Sequence, residues 1–151
     1  MGEINAALGA NGAGHILRSA AAGVQWTVLP PTQACYAEFE SWLEDSARKR
    51  LERRRAHMPP DVYEEERAAL RRDINSFVYS WGRETSKQAM RSIEGNTEFA
   101  AILIRQSHPQ VKAADVKAAL EADPDHYQDV LMAVMGVDDP NKKAVAAEPN
   151  P

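Results

Sequence analysis

The residues able to do chemistry in this chain are few and scattered. Its four histidines, His15, His57, His108 and His126, never stand four apart, and a zinc site needs ligands in recognised spacing. Cys35 is the only cysteine, so the chain can form no disulfide within itself and offers no thiolate pair. That fits a reducing compartment. Cys35 falls in the first turn of an expected helix, where a dipole can activate a thiol. No histidine is close to it in sequence, and a small half-buried side chain is the simpler reading. Carboxylates are many, yet none pairs inside an apolar run as a tuned acid and base would. Gly9 to Gly14 superficially resembles a phosphate loop but lacks the Gly-Lys-Ser or Gly-Lys-Thr end and a preceding strand. The sequence therefore predicts no catalytic constellation, no metal site and no cofactor.

Charge is concentrated in one place, Arg48 to Arg55, RKRLERRR. Nucleic-acid binding rests on many Lys and Arg contacts to phosphate. Here Glu52 interrupts the run, Glu64, Glu65 and Glu66 open the next helix, and the chain carries a net charge of −4. Neutralised patches steer poorly. The run reads as a solvated helix end, and nucleic acid is not the expected partner.

The elements that must position these residues are organised around Phe99 to Ile104, FAAILI. At about 100° per residue, Phe99, Ile102 and Leu103 share one side and Ile104 points away from Ile102. A helix apolar nearly all round is buried on several sides. It is expected to begin near Ser92, a capping residue, and to end near Ser107, because Pro109 restricts His108.

Ahead of it, residues 1–25 form a Gly/Ala-rich arm expected to be mostly flexible, with short helical or extended pieces at most. Gln25 to Leu29, QWTVL, is β-prone and ends at Pro30-Pro31. A lone strand needs a partner, from the arm or from another subunit. Tyr36, Phe39, Leu43, Ala47 and Leu51 then share one helical face over about 33–57, widened by Trp42. Glu38, Glu40, Glu44 and Asp45 come early and the arginines late, an order expected to counter the helix dipole at both ends. Pro59-Pro60 punctuates. Asp61 with Glu64 suggests a capping box, opening a helix over 61–81 whose stripe is Tyr63, Leu70, Ile74, Phe77, Val78 and Trp81, stopped by Gly82. So short a connection makes the two helices antiparallel. Tyr36, Phe39, Trp42, Phe77 and Trp81 read as core, not as a base-stacking platform.

A short helix is expected over Glu84 to Arg91. Another covers Val111 to Glu121, with Val116, Ala119 and Leu120 inward. A last one covers Asp125 to Met135, with Tyr127, Val130, Leu131, Val134 and Met135 inward, ended by Gly136. From Val137 the tail has no stripe and three prolines, and reads as disordered. The expected fold is mostly α: a small helical bundle with a long antiparallel helical hairpin, a flexible N-terminal arm carrying a short extended segment, and a disordered C-terminal tail. Its expected domains are an arm over 1–25, a helical domain over 26–136 and a tail over 137–151. At 151 residues and 44% apolar composition, one domain with its own core is expected. No apolar run approaches ~20 residues and the start lacks signal-peptide character, so a cytoplasmic protein is expected.

The order of these pieces resembles the tail assembly chaperones of long-tailed bacteriophages. An extended segment leads through Pro30-Pro31-Thr32 into YAEFESWLEDSAR. Later comes RSIEGNTEFAAILIRQSHPQVKAADVKAALEAD, then a short apolar helix. Members commonly have an apolar helix, an Arg–x–x–His-Pro segment, and a short helix opened by a Thr or Ser cap. Arg105 and His108-Pro109 fit, as do Val111 and Val116 at apolar positions. Lys112 departs, standing where Thr or Ser is expected, with Asp115 three residues on. The resemblance covers about residues 25–135.

It implies a non-enzymatic assembly factor in the cytoplasm of the infected bacterial host. Such proteins coat the long helical tape measure protein before tail tube subunits polymerise around it. Many exist in a second, frameshifted form, and the tail around Lys142-Lys143 could overlap such a site. The role asks for an apolar groove that accepts a helix and for weak self-association along the partner. Trp26, Trp42 and Tyr63 are the apolar surplus expected to line the groove, and QWTVL could add a strand to a neighbour. Two other classes stand beside this one: a small nucleic-acid-binding regulator using Arg48 to Arg55, and a structural virion component such as a head–tail connector.

Overall fold

The computed structural model describes residues 14–20 and 23–136. In chain order these form strands β1 (His15–Ser19) and β2 (Val24–Val28), then helix α1 (Gln33–Arg54), which tightens into a single 3-10 turn at Arg55–His57. Helices α2 (Pro60–Asn75), α3 (Glu84–Arg91), α4 (Ile93–Arg105), α5 (Ala113–Ala122) and α6 (Pro124–Val134) follow. The protein is mostly helical, as its periodicity predicts. The expected tail, 137–151, and residues 1–13 of the expected arm lie outside the described residues.

The described chain divides into two compact units. One joins the described residues up to 32 to residues 100–136; the other is 33–99.

In the first unit, β1 and β2 pair antiparallel, with Leu17 opposite Trp26 and Ser19 opposite Val24. The QWTVL segment thus finds its partner inside the stretch read as an arm. Val24, Trp26, Thr27 and Val28 suit a pleated strand, and Gly23, at φ +65°, supplies the left-handed residue the turn requires. Alternation sends Leu17, Ser19, Trp26 and Val28 inward. Strand β1 packs against α5 and α6, and in the second half of α4 each of Ala100 to Ile104 is at most 2% exposed. Val111, Val116 and Ala119, then Tyr127, Leu131 and Val134, complete this core.

The helix ends follow from local chemistry. The Ser92 hydroxyl accepts the Gly95 N–H at 3.0 Å, the cap its position predicts. Helix α4 stops at Arg105, two residues before the expected Ser107, because the Ser107 and His108 amides both turn back to the Ile104 carbonyl. Helix α5 starts at Ala113 instead of Val111. The Asp115 carboxylate accepts the Lys112 amide at 3.1 Å, which is half a capping box; a lysine ammonium has no lone pair for the other half. The Asp123 carboxylate accepts the His126 amide at 3.2 Å, and Pro124 takes the first turn of α6.

In the second unit, Cys35, Phe39, Leu43, Ala47 and Leu51 form the buried stripe of α1. Helix α2 runs back antiparallel: Arg54 pairs with Glu66, Glu52 with the Tyr63 hydroxyl, and Glu40 accepts the Trp81 amide. Three expectations are corrected here. The first turn of α1 holds no acidic residue, although Arg53 and Arg54 occupy its last. Dipole effects fall off within one turn, so only the C-terminal end is countered. Asp61 does not cap α2. Pro59 does, with no side-chain hydrogen bond, and its carbonyl accepts the Tyr63 amide at 3.0 Å.

The third correction is the end of α2, at Asn75 and not near Trp81. The Phe77 amide returns to the Ile74 carbonyl and the Val78 amide to the Asp73 carbonyl, which is a Schellman motif. Phe77 occupies its left-handed position at φ +59°, where glycine is usual, and its side chain is 69% exposed. It is not core. Trp81 still reaches the core through the turn that follows, stacking on Phe99 at 4.8 Å between centroids and meeting Tyr36 at a tilt at 4.7 Å. Phe39 and Phe99 meet edge to face at 5.3 Å. Gly95 is buried in the corner between α3 and α4, where any Cβ would strike the Ala89 carbonyl.

Candidate functional site

The segment from Arg105 to Val111 makes the most specific polar structure in the first unit. The Arg105 Nε donates to the Val111 carbonyl at 2.8 Å, closing the turn that contains Pro109. From this turn three side chains reach β2 and the residues after it. His108 Nε2 accepts the Thr27 amide at 3.0 Å, and the Ser107 hydroxyl donates to the Thr27 carbonyl at 2.7 Å. The Gln106 amide donates to the Leu29 and Pro30 carbonyls at 3.3 and 3.2 Å. On the other strand, His126 Nε2 accepts the Arg18 amide at 3.1 Å. Arg105 and His108 were legible only as part of the family-like segment. Ser107, Gln106 and His126 gave no signal, because their partners lie 76 to 108 residues away.

Beside this clamp lies an open groove of about 500 Å³, lined by Val24, Trp26, Pro109 and Val111 together with Ser107, His108, Gln110 and Asp115. Val24 is 40% exposed, whereas Trp26 is buried and forms the groove wall.

The other two aromatic candidates belong to the second unit. Trp42 is half-buried and stacks on Phe39 at 5.6 Å. Tyr63 is buried between α1 and α2, with the Arg55 guanidinium 4.6 Å over its ring. Its hydroxyl donates to Glu52, and that bond, reinforced by burial and the Glu52 charge, pushes the phenol above its ordinary range. Tyr63, Leu51, Leu70 and Ile74 floor a second groove of about 420 Å³, rimmed by Arg48, Glu52, Arg67 and Arg71. Trp26, Trp42 and Tyr63 therefore form no single cluster within either unit.

Three arginines of the basic run meet carboxylates. Arg48 pairs with Asp45 and Glu44, Arg54 with Glu66, and Arg55 with Glu52. The remaining chemistry-bearing residues are dispersed. Cys35 is buried. Burial raises the Tyr127 phenol far above its ordinary value. Among the described residues no group of three His, Cys, Asp or Glu side chains could hold a metal ion, and no helix is long and apolar enough to cross a membrane.

Comparison with known protein families, curated proteins and solved structures found no match to this chain.

Proposed function

We propose that this protein is a non-enzymatic tail assembly chaperone of a long-tailed bacteriophage, working in the cytoplasm of the infected host. In this reading it holds apolar helical segments of the tape measure protein and helps recruit tail tube subunits. The family-like segment from Arg91 to Asp123 motivates the proposal. The observation that carries it is the open groove beside Trp26, whose lining of Val24, Trp26, Pro109 and Val111 is mainly apolar. A groove of this kind receives the i, i+3 and i+4 anchors of one helix face. Phe77 and Ile93, 69% and 57% exposed, offer further apolar contacts. Weak self-association along a long partner adds through avidity.

Binding through such contacts changes little between low and moderate salt, because screening acts on exposed charge. Binding of nucleic acid through Arg48 to Arg55 would collapse over the same range. Co-expression with the tape-measure-like protein, followed by capture at two salt concentrations, tests the reading. Capture at both salts, lost in Val24→Asp, is expected. An insoluble, uncaptured partner together with salt-sensitive DNA retention would replace the chaperone with a nucleic-acid-binding regulator.

A further inference from the structure

Two histidine rings cover the outer edges of the β-hairpin, one on each side. In an antiparallel pair, residues alternate between exchanging backbone bonds across the pair and pointing both groups outward. Thr27 points outward from β2: His108 Nε2 takes its amide and the Ser107 hydroxyl reaches its carbonyl. By the same period Arg18, opposite Gln25 in the register, points outward from β1, where His126 Nε2 takes its amide. Each ring comes from a different segment, 81 and 108 residues from the amide it accepts.

This geometry calls for the neutral form of both rings. A nitrogen that accepts an N–H must carry a lone pair, so each imidazole is neutral with its proton on Nδ1. A further proton enters at Nε2. The acceptor then becomes a donor, N–H faces N–H, and each backbone amide loses its partner. We propose that His108 and His126 form a proton-operated clamp on the hairpin. Neutral rings hold β1 and β2 against the core of this unit. Protonated rings let go of both edge amides and loosen the hairpin over Leu17, Trp26 and Val28, which are 2%, 7% and 1% exposed when docked, leaving it held through Ser107 and Gln106. The docked hairpin binds fewer protons than the released one, so its stability rises with pH.

The charged groups on the elements around each ring are these. For His126 they are His15 and Arg18 on β1, Asp115, Lys117 and Glu121 on α5, Asp123 at the cap, and Asp125 and Asp129 on α6. For His108 they are Arg105 at the end of α4, and Lys112 and Asp115 at the start of α5; β2 carries none. None of these supplies an acceptor to the Thr27 or Arg18 amides. The acceptor role falls to the two imidazoles.

Amide NMR of the full chain, titrated from about pH 8 to about pH 5.5 across the imidazole range, tests the clamp. The Thr27 and Arg18 amide signals should move together, with the midpoint of the His108 and His126 ring signals, and lose hydrogen-exchange protection. The Gly95 amide, held by the Ser92 hydroxyl, should stay fixed. The double variant His108→Gln, His126→Gln supplies a carbonyl acceptor at every pH and should abolish the movement. Rings that titrate while both amides stay fixed would overturn the proposal. So would a double variant as pH-sensitive as the wild type. If that variant does not fold, the wild-type titration decides alone.

Discussion

In residues 33–99, α1 and α2 are tied across a short connection. Arg54 meets Glu66 twelve residues on, Glu52 meets Tyr63 eleven residues on, and the aromatic rings of Tyr36, Phe39, Trp81 and Phe99 close the far end. In the other unit, a hairpin near the start is held by side chains that arrive 76 to 108 residues later. Those ties are directional hydrogen bonds to backbone, laid over the buried run of α4. The first arrangement brings its parts together over short loops; the second must close long ones before its contacts form. Packing alone can specify a helical hairpin. A two-stranded ribbon is marginal by itself, and here its edges are satisfied one group at a time.

Helix α4 serves both arrangements, which gives the sharpest ways to separate them. Leu103→Asp should have the largest effect. Its side chain is fully buried, and an unpaired charge there is very costly. Circular dichroism and thermal melting should show loss of cooperative folding; a melting temperature equal to wild type would mean the run is not the core. Phe99→Ala, four residues earlier, should cost about 3–5 kcal/mol. It removes the ring shared by Tyr36, Phe39 and Trp81. Denaturant unfolding measures the loss. A loss under about 1 kcal/mol would show that the aromatic cluster contributes little beyond filling space.

Phe77→Gly should act in the opposite direction, raising stability by about 1 kcal/mol. Glycine relieves the left-handed strain at the end of α2, and little buried surface is lost because the ring is mostly exposed. A destabilised variant in the same denaturant assay would mean the ring contributes packing after all. The smallest effect belongs to Arg54→Ala. That pair is solvent-exposed, 59% and 38% at its two side chains, so its removal should cost under ~1 kcal/mol. A larger loss in melting would make the charges at the hairpin mouth a second source of specificity.

Most helices were legible because their signals are local. The stripe from Phe39 to Leu51, the Ser92 cap and the span of α3 each depend on residues within a turn or two of one another. The end of α2 was misread for an equally local reason. Its left-handed position holds Phe77, while the glycine that usually marks such an end stands five residues later, at Gly82. The Asp61–Glu64 pattern failed because Pro60 already begins the helix, leaving Asp61 inside it.

By itself the sequence determined the helical class, the buried run at 99–104 and the antiparallel pairing of α1 with α2, since periodicity and a short connection suffice for these. It also determined an extended segment at Gln25 to Leu29, which the strand Val24–Val28 matches to within one residue. Only the tertiary structure decided what that strand pairs with, and that Thr27 and Arg18 hand their amides to His108 and His126. The same holds for Trp26, separated from Tyr63 and Trp42 into a different unit. Those outcomes depend on which polar groups meet after long loops close, and no spacing along the chain encodes a partner 108 residues away.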